Sequence, residues 1–452
     1  MEALRQFQSV EGRCATAGPP ISCLPPVVFN YLQFVHGELG AEPTSSEGIY
    51  RAREELARMG YEIALREPSG DAPSLRWTPP IPVYEVREKL LPAQVIAEGK
   101  GLTHERSIAS AVGEAVERIL GSFPSAQVGI RSACFRELGI PDEEINAFDF
   151  GPRDCLHPLI VTDWVDAYEW CSEGCEPLFV PAELVFTSHI GGSRVAVVAY
   201  RNTTGLAAGR SVDEAVLNGL LEIIERDAYW IVMRCKMRTP TISLRDVQRL
   251  DPRVGELAIN LERQGLRLHL QDISLDWPIP IVHAFLEDAS GRVPAFAHGS
   301  GAALSISEAV TRAICEVVQV RSDLCRWVDT HLLDFVMPAN PLRSPHLTWA
   351  DPLWGPQLAH FRTSSRQARS VRTERTNAHV ADLVAALRAE LSVRGHRVLY
   401  CRLGEIGGIH GVRVFLLGAT PPDPRGERVS PRMKRFLNIQ GLSSPYIEPI
   451  LT

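Results

Sequence analysis

The chain has 452 residues, 45% of them hydrophobic and 22% charged, with a formal net charge of −7. That is enough length for two or three domains or one large composite, with the balance of an ordinary globular protein. The negative balance excludes a broad basic face for nucleic acid, and no uninterrupted apolar run reaches membrane-spanning length. The opening segment, MEALRQFQSVEGRC, lacks the basic start and apolar core of a secretory signal, so a cytoplasmic protein is expected.

In chain order, SSEGIYRAREELARMGYEI carries Ile49, Leu56 and Met59 at helical spacing. The proline-rich stretch TPPIPVYEV (78–86) then reads as a linker or an extended entry strand. From Val95 to about Ala419, strand-like runs alternate with long apolar helices, which predicts an α/β (mixed α+β) protein. VAVVAY (195–200), IPIVHAFLE (279–287) and HRVLYCRL (396–403) are the clearest strands, rich in β-branched or aromatic residues. Two loops are proline-rich, VMPANPLRSPH (336–346) and TPPDPRGERVSPR (420–432). The expected division is an N-terminal region 1–95 packed on the core, a main domain 96–420, and a C-terminal tail 421–452. The ten cysteines are scattered rather than framed, as free thiols in a reducing compartment would be. Cys171 and Cys175 form the closest pair, without the two further ligands that a zinc site needs nearby.

One segment occurs three times. Residues 101–118 (GLTHERSIASAVGEAVER) and 209–226 (GRSVDEAVLNGLLEIIER) align without a gap, matching Gly101 with Gly209, Glu114 with Glu222, Glu117 with Glu225 and Arg118 with Arg226. A third copy, ALSISEAVTRAICEVVQVR (303–321), places Glu316 and Gln319 at the two acidic positions. Each copy passes from a turn through a polar first turn into an apolar helix, and Ser211 with Glu214 has the spacing of a capping box. The copies lie too far apart in sequence for a solenoid, so three similar helices around one centre are predicted.

Positions i, i+3 and i+4 share a helix face. Ser110, Glu114 and Glu117 therefore form one polar stripe, and Asn218, Glu222 and Glu225 another. For one copy alone, a solvated stripe of charge is the default. Three copies in fixed register, two of them flanked by Ile, Leu and Val, point instead to buried carboxylates. Such groups cost several kcal/mol each unless a positive charge sits among them. Arginine or a divalent cation would supply it, and Mg²⁺ fits because it takes carboxylate oxygens while keeping phosphate as a co-ligand.

GKGLTHERSIASAVGEAVER (99–118), TGLAAGRSVDEAVLNGLLEIIERDA (204–228) and TRAICEVVQVR (311–321) resemble the three signature segments of the YcaO family, over roughly residues 96–420. The resemblance implies a YcaO-type fold with its three related helices around a nucleotide site lacking a Walker loop, with ATP and Mg²⁺ as cofactors. It implies Glu114, Glu117, Glu222 and Glu225 as metal ligands and Arg226 facing phosphate. It places Glu316 and Gln319 as a polar pair of the nucleotide site, with Arg312 and Arg321 at basic positions nearby. Ser110 is expected to reach the nucleotide or a metal-bound water. Lys100, in the turn before the first helix, reads equally as a phosphate contact or a solvated lysine.

The activity the resemblance implies is ATP-dependent activation of a backbone amide in a ribosomally made precursor peptide. The amide oxygen takes the γ-phosphoryl group and leaves as phosphate once a nucleophile has added to the carbonyl. A side chain of the peptide as nucleophile gives an azoline, its own amine an amidine, and external sulfide a thioamide. An azoline or amidine by cyclodehydration is the leading expectation and a thioamide made with a sulfur-delivering partner is the alternative. In another class, the chain would be an auxiliary nucleotide-binding or scaffold protein, which retention of the acidic set argues against. The ending SSPYIEPILT departs from the P-x-P-x-P tail of azoline-forming members, which lowers the azoline reading. Without a fused ThiF-like domain, leader binding is expected from a separate ThiF-like or TfuA-like partner, and a homodimer is left open. DFG (149–151) stands without an HRD-type loop or a glycine-rich opening, so it is a coincidence and not a kinase motif. No catalytic nucleophile or base is assigned; His104, His189 and His410 read as structural or solvated.

Overall fold

The computed structural model describes residues 45–66, 79–141, 160–170, 178–188, 202–291, 293–329, 380–420 and 429–445. The predicted strand 195–200, the loop 336–346, Cys171, Cys175, His189, the DFG tripeptide and the last residues of the tail lie outside them.

The chain opens with α1 (Ser45–Arg58), followed by β1 (Tyr61–Leu65), β2 (Val83–Glu88) and β3 (Leu91–Lys100), an antiparallel sheet in the order β1-β2-β3. The proline-rich entry segment is thus a strand from Val83 onward, and the end of the first helical stretch, from Tyr61, pairs with it. The boundary expected at residue 95 falls inside β3, so residues on both sides of it share one sheet. Next come α2 (His104–Ser122), β4 (Ile130–Ala133), β5 (Thr162–Glu169), β6 (Leu178–Pro181), β7 (Leu206–Gly209) and α3 (Val212–Arg234). Helices α4 (Leu244–Leu250) and α5 (Pro252–Arg263) lead to β8 (Leu266–Asp272), β9 (Ile281–Asp288) and β10 (Phe296–Ala302), a second antiparallel sheet. The 24-residue α6 (Ile306–Asp329) follows, then α7 (Val380–Val393), β11 (Val398–Ile406), β12 (Ile409–Leu416) and α8 (Pro431–Gln440). The largest sheet runs β4-β5-β11-β12-β7, with β6 beside β5.

The three sequence repeats are three strand–helix units: β3–α2, β7–α3 and β10–α6. Each strand stands at the edge of a different sheet. A hydroxyl caps each helix at the same register: Thr103 accepts from the Arg106 N–H, Ser211 from Glu214 and Ser305 from Glu308. The expected capping box is half formed, because Glu214 turns back to the N–H of Arg210 rather than of Ser211.

Close contact between strand and helix depends on small residues. A Cβ on Gly99 would press into the Ser107 carbonyl and the Ala111 N–H of α2, and one on Gly301 would lie 2.6 Å from the Ala309 carbonyl of α6. The central helix α3 is buried on almost every side, with Leu220, Leu221, Ile224 and Val232 in an apolar core shared with β9, β10 and β12. Past the repeat, buried Asp227 accepts from the Trp277 indole and the Thr420 N–H and pairs with Arg432 at 2.7 Å, which ties α8 to α3. The cysteines Cys134, Cys235, Cys315, Cys325 and Cys401 are free and buried. No helix among the described residues is long and apolar enough to cross a membrane.

Gly99→Ala sets a methyl group against two backbone atoms of α2, where neither side can yield like a flexible side chain. We expect a loss of about 3 kcal/mol in urea unfolding, at the upper end of overpacking costs. A variant as stable as the parent would show that β3 and α2 are not in this contact.

Candidate functional site

The edges of β3, β7 and β10 meet where the polar stripes of α2, α3 and α6 face one another. Glu114, Glu117, Glu222, Glu225, Glu316 and Gln319 are all at least nine-tenths buried there. Burial is the main cause that raises these acids, and each also feels the next: Glu222 and Glu114 add to Glu117, Glu225 to Glu222, and Glu225 to Glu316. The convergence expected of the repeat is therefore present.

Local partners fix each side chain. Glu114 pairs with Arg118 at 3.3 Å and Glu222 with Arg226 at 3.6 Å, the same i,i+4 pair in two repeats. Glu222 also accepts from the Gly205 N–H at 2.8 Å. Glu225 accepts from the Ser300 hydroxyl at 2.8 Å and the Ala302 N–H at 2.9 Å, so α3 is fastened to the edge of β10. Asn218 donates to the Ala208 carbonyl and Arg312 to that of Ala302; these are register equivalents, each holding the end of its own strand. Arg312 also pairs with Glu308 at 2.7 Å. Lys100 is no solvated loop lysine: it ends β3, is buried, and pairs with Glu316 at 3.3 Å. Ser110 is buried on α2 one turn before Glu114. Arg321 goes elsewhere. It donates to Asp288 at 3.0 Å and to the Pro294 carbonyl, because five residues beyond Glu316 it leaves the polar face of α6.

The sequence reading missed several members. Glu98 on β3 is buried and accepts from the Gln319 amide at 2.9 Å. Behind it, Arg66 pairs with Glu98, with Glu85 at 2.7 Å and with Asp323 at 2.6 Å, while Arg326 pairs with Glu85 at 2.6 Å. Burial would raise the Glu85 carboxyl, but Arg66, Arg326 and Arg87 overcome this and hold it at about 2. Arg413 on β12 stands near Glu117 and Glu222 and donates to the Asn202 carbonyl; burial lowers it to about 10. Glu98 lies on the strand of the first unit, just ahead of the segment that repeats in sequence, and the others belong to no repeat. The signals available were the alternating Glu85 and Arg87 on β2 and Glu98 and Lys100 on β3, which mark polar strand faces without naming partners.

The centre is acidic beyond what its cations offset. Burial, opposed in part by Arg118, pushes Glu114 up to about 7, and Glu222 reaches about 7 against Arg226. Glu316 is pushed to about 8 despite Lys100, and Glu117 stands well above the usual carboxylate range. Glu117 Oε2, Asn218 Oδ1 and Gln319 Oε1 are buried acceptors without a hydrogen-bond partner among the described residues. Oxygen-only acceptors around an excess of acid fit a hard cation. Among the described residues no three acidic, His or Cys side chains form a ready-made metal cluster. Mg²⁺ commonly takes one or two carboxylates and completes its shell with water and phosphate oxygens, so none is required.

Three strand–helix units thus direct buried acids at one centre, and no glycine-rich phosphate loop stands among the described residues. The chain belongs to the YcaO family: residues 98–419 match the YcaO cyclodehydratase, ATP- and Mg²⁺-binding. ATP and Mg²⁺ are the cofactors that family defines. The YcaO protein of Methanopyrus kandleri, solved with AMPPCP and Mg²⁺, is similar with a TM-score of 0.60 and 22% identity, over 89% of this chain and 98% of that one. A heterocyclase solved with substrate and cofactor gives 0.64 and 18%, over 87% of this chain and 55% of that one. The E. coli microcin synthetase McbBCD complex gives 0.58 and 15%, over 79% and 87%. At these identities the likeness establishes the fold. An uncharacterised protein of Methanothermobacter thermautotrophicus is 32% identical over 239 residues, 50% of this chain and 57% of that one. A protein in the tfuA 3′ region of Rhizobium leguminosarum bv. trifolii is 30% identical over 246 residues, 50% of this chain and 54% of that one. The chain thus spans little more than half the length of these curated relatives.

Glu114, Glu222 and Glu316 keep their protons to a higher pH in the fold than the ordinary value of 4.5. Native protein then binds more protons than unfolded chain, so metal-free stability falls as the pH climbs from about 4.5 through 7 and 8. A cation among these oxygens opposes that loss. We expect the rise in melting temperature on adding millimolar Mg²⁺ to be larger at pH 8 than at pH 6. Equal rises at both would count against carboxylate ligation.

Proposed function

We propose that this protein uses ATP to activate a backbone amide of a ribosomally made precursor peptide, giving an azoline or amidine by cyclodehydration. Convergence of the three acid-bearing helices on one buried centre carries the reading. An amide is a poor electrophile with a poor leaving group, and transfer of the γ-phosphoryl group to its oxygen answers both problems. A nucleophile adds to the carbonyl carbon and gives up its proton, and the oxygen takes the γ-phosphoryl group with release of ADP. Departure of phosphate, with loss of the proton on the amide nitrogen, then forms the new C=N bond. Mg²⁺, when bound, supplies charge neutralisation at the triphosphate and alignment of donor and acceptor.

In this reading Glu114, Glu117, Glu222 and Glu225 would share the holding of magnesium ions, one or two carboxylates to each. Ser300 and the Ala302 N–H orient Glu225, and the Gly205 N–H orients Glu222. Arg226 is the cation of α3 placed for phosphate, and Lys100 and Arg413 limit the repulsion among the acids. Ser110, Arg312, Glu316 and Gln319 complete the nucleotide side. Arg321, bound to Asp288, supports the β9–β10 hairpin instead. The apolar bodies of α2, α3 and α6 keep water from the carboxylates, which strengthens their hold on a cation.

Thioamide formation with a sulfur-delivering partner is the second reading. It is favoured by the Rhizobium relative, named for its place beside tfuA, where a TfuA-like partner is one of the two expected here.

Glu222→Gln keeps the shape of the side chain but removes its charge. Peptide-stimulated ATP turnover should fall on the order of 10²-fold or more, as for loss of one preorganised electrostatic contact; undiminished turnover would sink the metal assignment. Mass spectrometry of a precursor peptide incubated with the protein, ATP, Mg²⁺ and any partner separates the chemistries. Loss of one water is expected, whereas replacement of oxygen by sulfur would establish the thioamide reading.

A further inference from the structure

The three repeats are not equivalent at the one place where each helix should meet the next strand. Glu117, Glu225 and Gln319 share a register position on α2, α3 and α6. The strand positions they would meet, also in register, are Leu206 on β7, Ser300 on β10 and Glu98 on β3. Between the second and third units the helix brings the carboxylate and the strand the donor: the Ser300 hydroxyl donates to Glu225. Between the third and first units the roles are exchanged. The strand brings the carboxylate, and Gln319 Nε2 donates to Glu98 Oε2 at 2.9 Å. Between the first and second units the strand position is apolar, and Glu117 Oε2 has no hydrogen-bond partner among the described residues.

The exchange fixes an amide that could otherwise face either way. An ionised carboxylate has only acceptors to offer, so the amide beside Glu98 must turn its NH₂ toward it. Glu98 Oε1 is taken by Arg66 and by Arg326 at 3.4 Å, which leaves Oε2 for Gln319. Arg66 is held in turn by Glu85 and Asp323. Gln319 Oε1 is then left as a buried acceptor without a partner among the described residues, on the same face of α6 as Glu316.

We propose that Glu98 is a positioning residue of this centre, orienting Gln319 so that it presents a neutral oxygen to a donor of the bound Mg·ATP. That donor is an N–H or O–H of the nucleoside or of a magnesium-bound water. The inference rests on the reading of the centre as a nucleotide site. It gives the residues before the family-matched segment a task there, since Arg66 and Glu85 hold Glu98 in place.

The test is a charge exchange. In Glu98→Gln the new amide donates to Gln319, which flips and offers NH₂ where the ligand needs an acceptor. In Gln319→Glu two carboxylates abut. In the double variant Glu98→Gln/Gln319→Glu the net charge is kept, the hydrogen bond is re-formed with its direction reversed, and position 319 again shows an oxygen. Binding of Mg·ATP, by titration calorimetry on the full chain, should weaken about tenfold in each single variant, the worth of one buried hydrogen bond. It should recover to within a few-fold in the double variant. Melting curves with Mg²⁺ alone, and titrations with Mg·2′-deoxy-ATP, distinguish the donor. A defect already present with Mg²⁺ alone assigns it to a metal-bound water, and a defect lost with the deoxynucleotide assigns it to the ribose hydroxyl. Unchanged Mg·ATP binding in Glu98→Gln, or a double variant no better than the weaker single one, overturns the proposal. Failure of the unaltered protein to bind Mg·ATP overturns the functional reading together with it.

Discussion

Buried acid is the constraint on which the structure turns. Glu98, Glu114, Glu117, Glu222, Glu225 and Glu316 lie where three helices and three sheet edges meet, almost wholly out of water. Isolated there, each would cost several kcal/mol. Backbone N–H groups of Gly205 and Ala302, the Ser300 hydroxyl and the cations Lys100, Arg66, Arg118, Arg226, Arg326 and Arg413 meet part of that cost. The remainder appears as the raised pKa values of Glu114, Glu117, Glu222 and Glu316. A cationic ligand would complete such a centre, and the fold concentrates its acid where three separate chain segments must all be in place.

Pseudo-symmetry explains how this is assembled from simple parts. Each unit places a strand at a sheet edge, turns through a hydroxyl cap and buries the helix that follows. Glycine at Gly99 and Gly301 brings strand and helix close enough for the helix's polar stripe to pass the strand's edge. Because the strands are edges, their outer N–H groups and side chains are free to serve the neighbouring unit, as the Ala302 N–H serves Glu225. An otherwise hazardous sheet edge becomes the lining of a site.

The stripe residues were legible because helix periodicity fixes which positions share a face, and the repeat showed which faces mattered. The same geometry explains the exception: Arg321 sits in the third segment but off the polar face of α6, and it pairs with Asp288. Glu98, Arg66 and Arg413 were not legible, because strand alternation places a charge on a face without naming its partner. Arg66 meets Asp323 across 257 residues, a pairing that no local pattern encodes. The chain order of strands was clearer than their pairing. β11 reads as a strand, yet nothing local told that it would pair with β12 in a sheet that takes β7 as its edge.

The family-matched segment ends at residue 419, yet the centre does not end with it. Before it, Arg66 and Glu85 brace Glu98 from β3's own sheet. After it, Arg432 of α8 stacks on Trp277 with its charge 4.3 Å from the ring and pairs with Asp227, the residue next to Arg226. Asp227 is fully buried, so loss of Arg432 would leave its charge, among the described residues, with the Trp277 and Thr420 N–H groups. The helix bearing Glu222 and Glu225 is thereby anchored by residues on the far side of the family boundary. Substitution in either flank reaches the acids through one intermediate residue, Glu98 on one side and Asp227 on the other. The stability of the centre is a property of the longer chain rather than of its recurring segment.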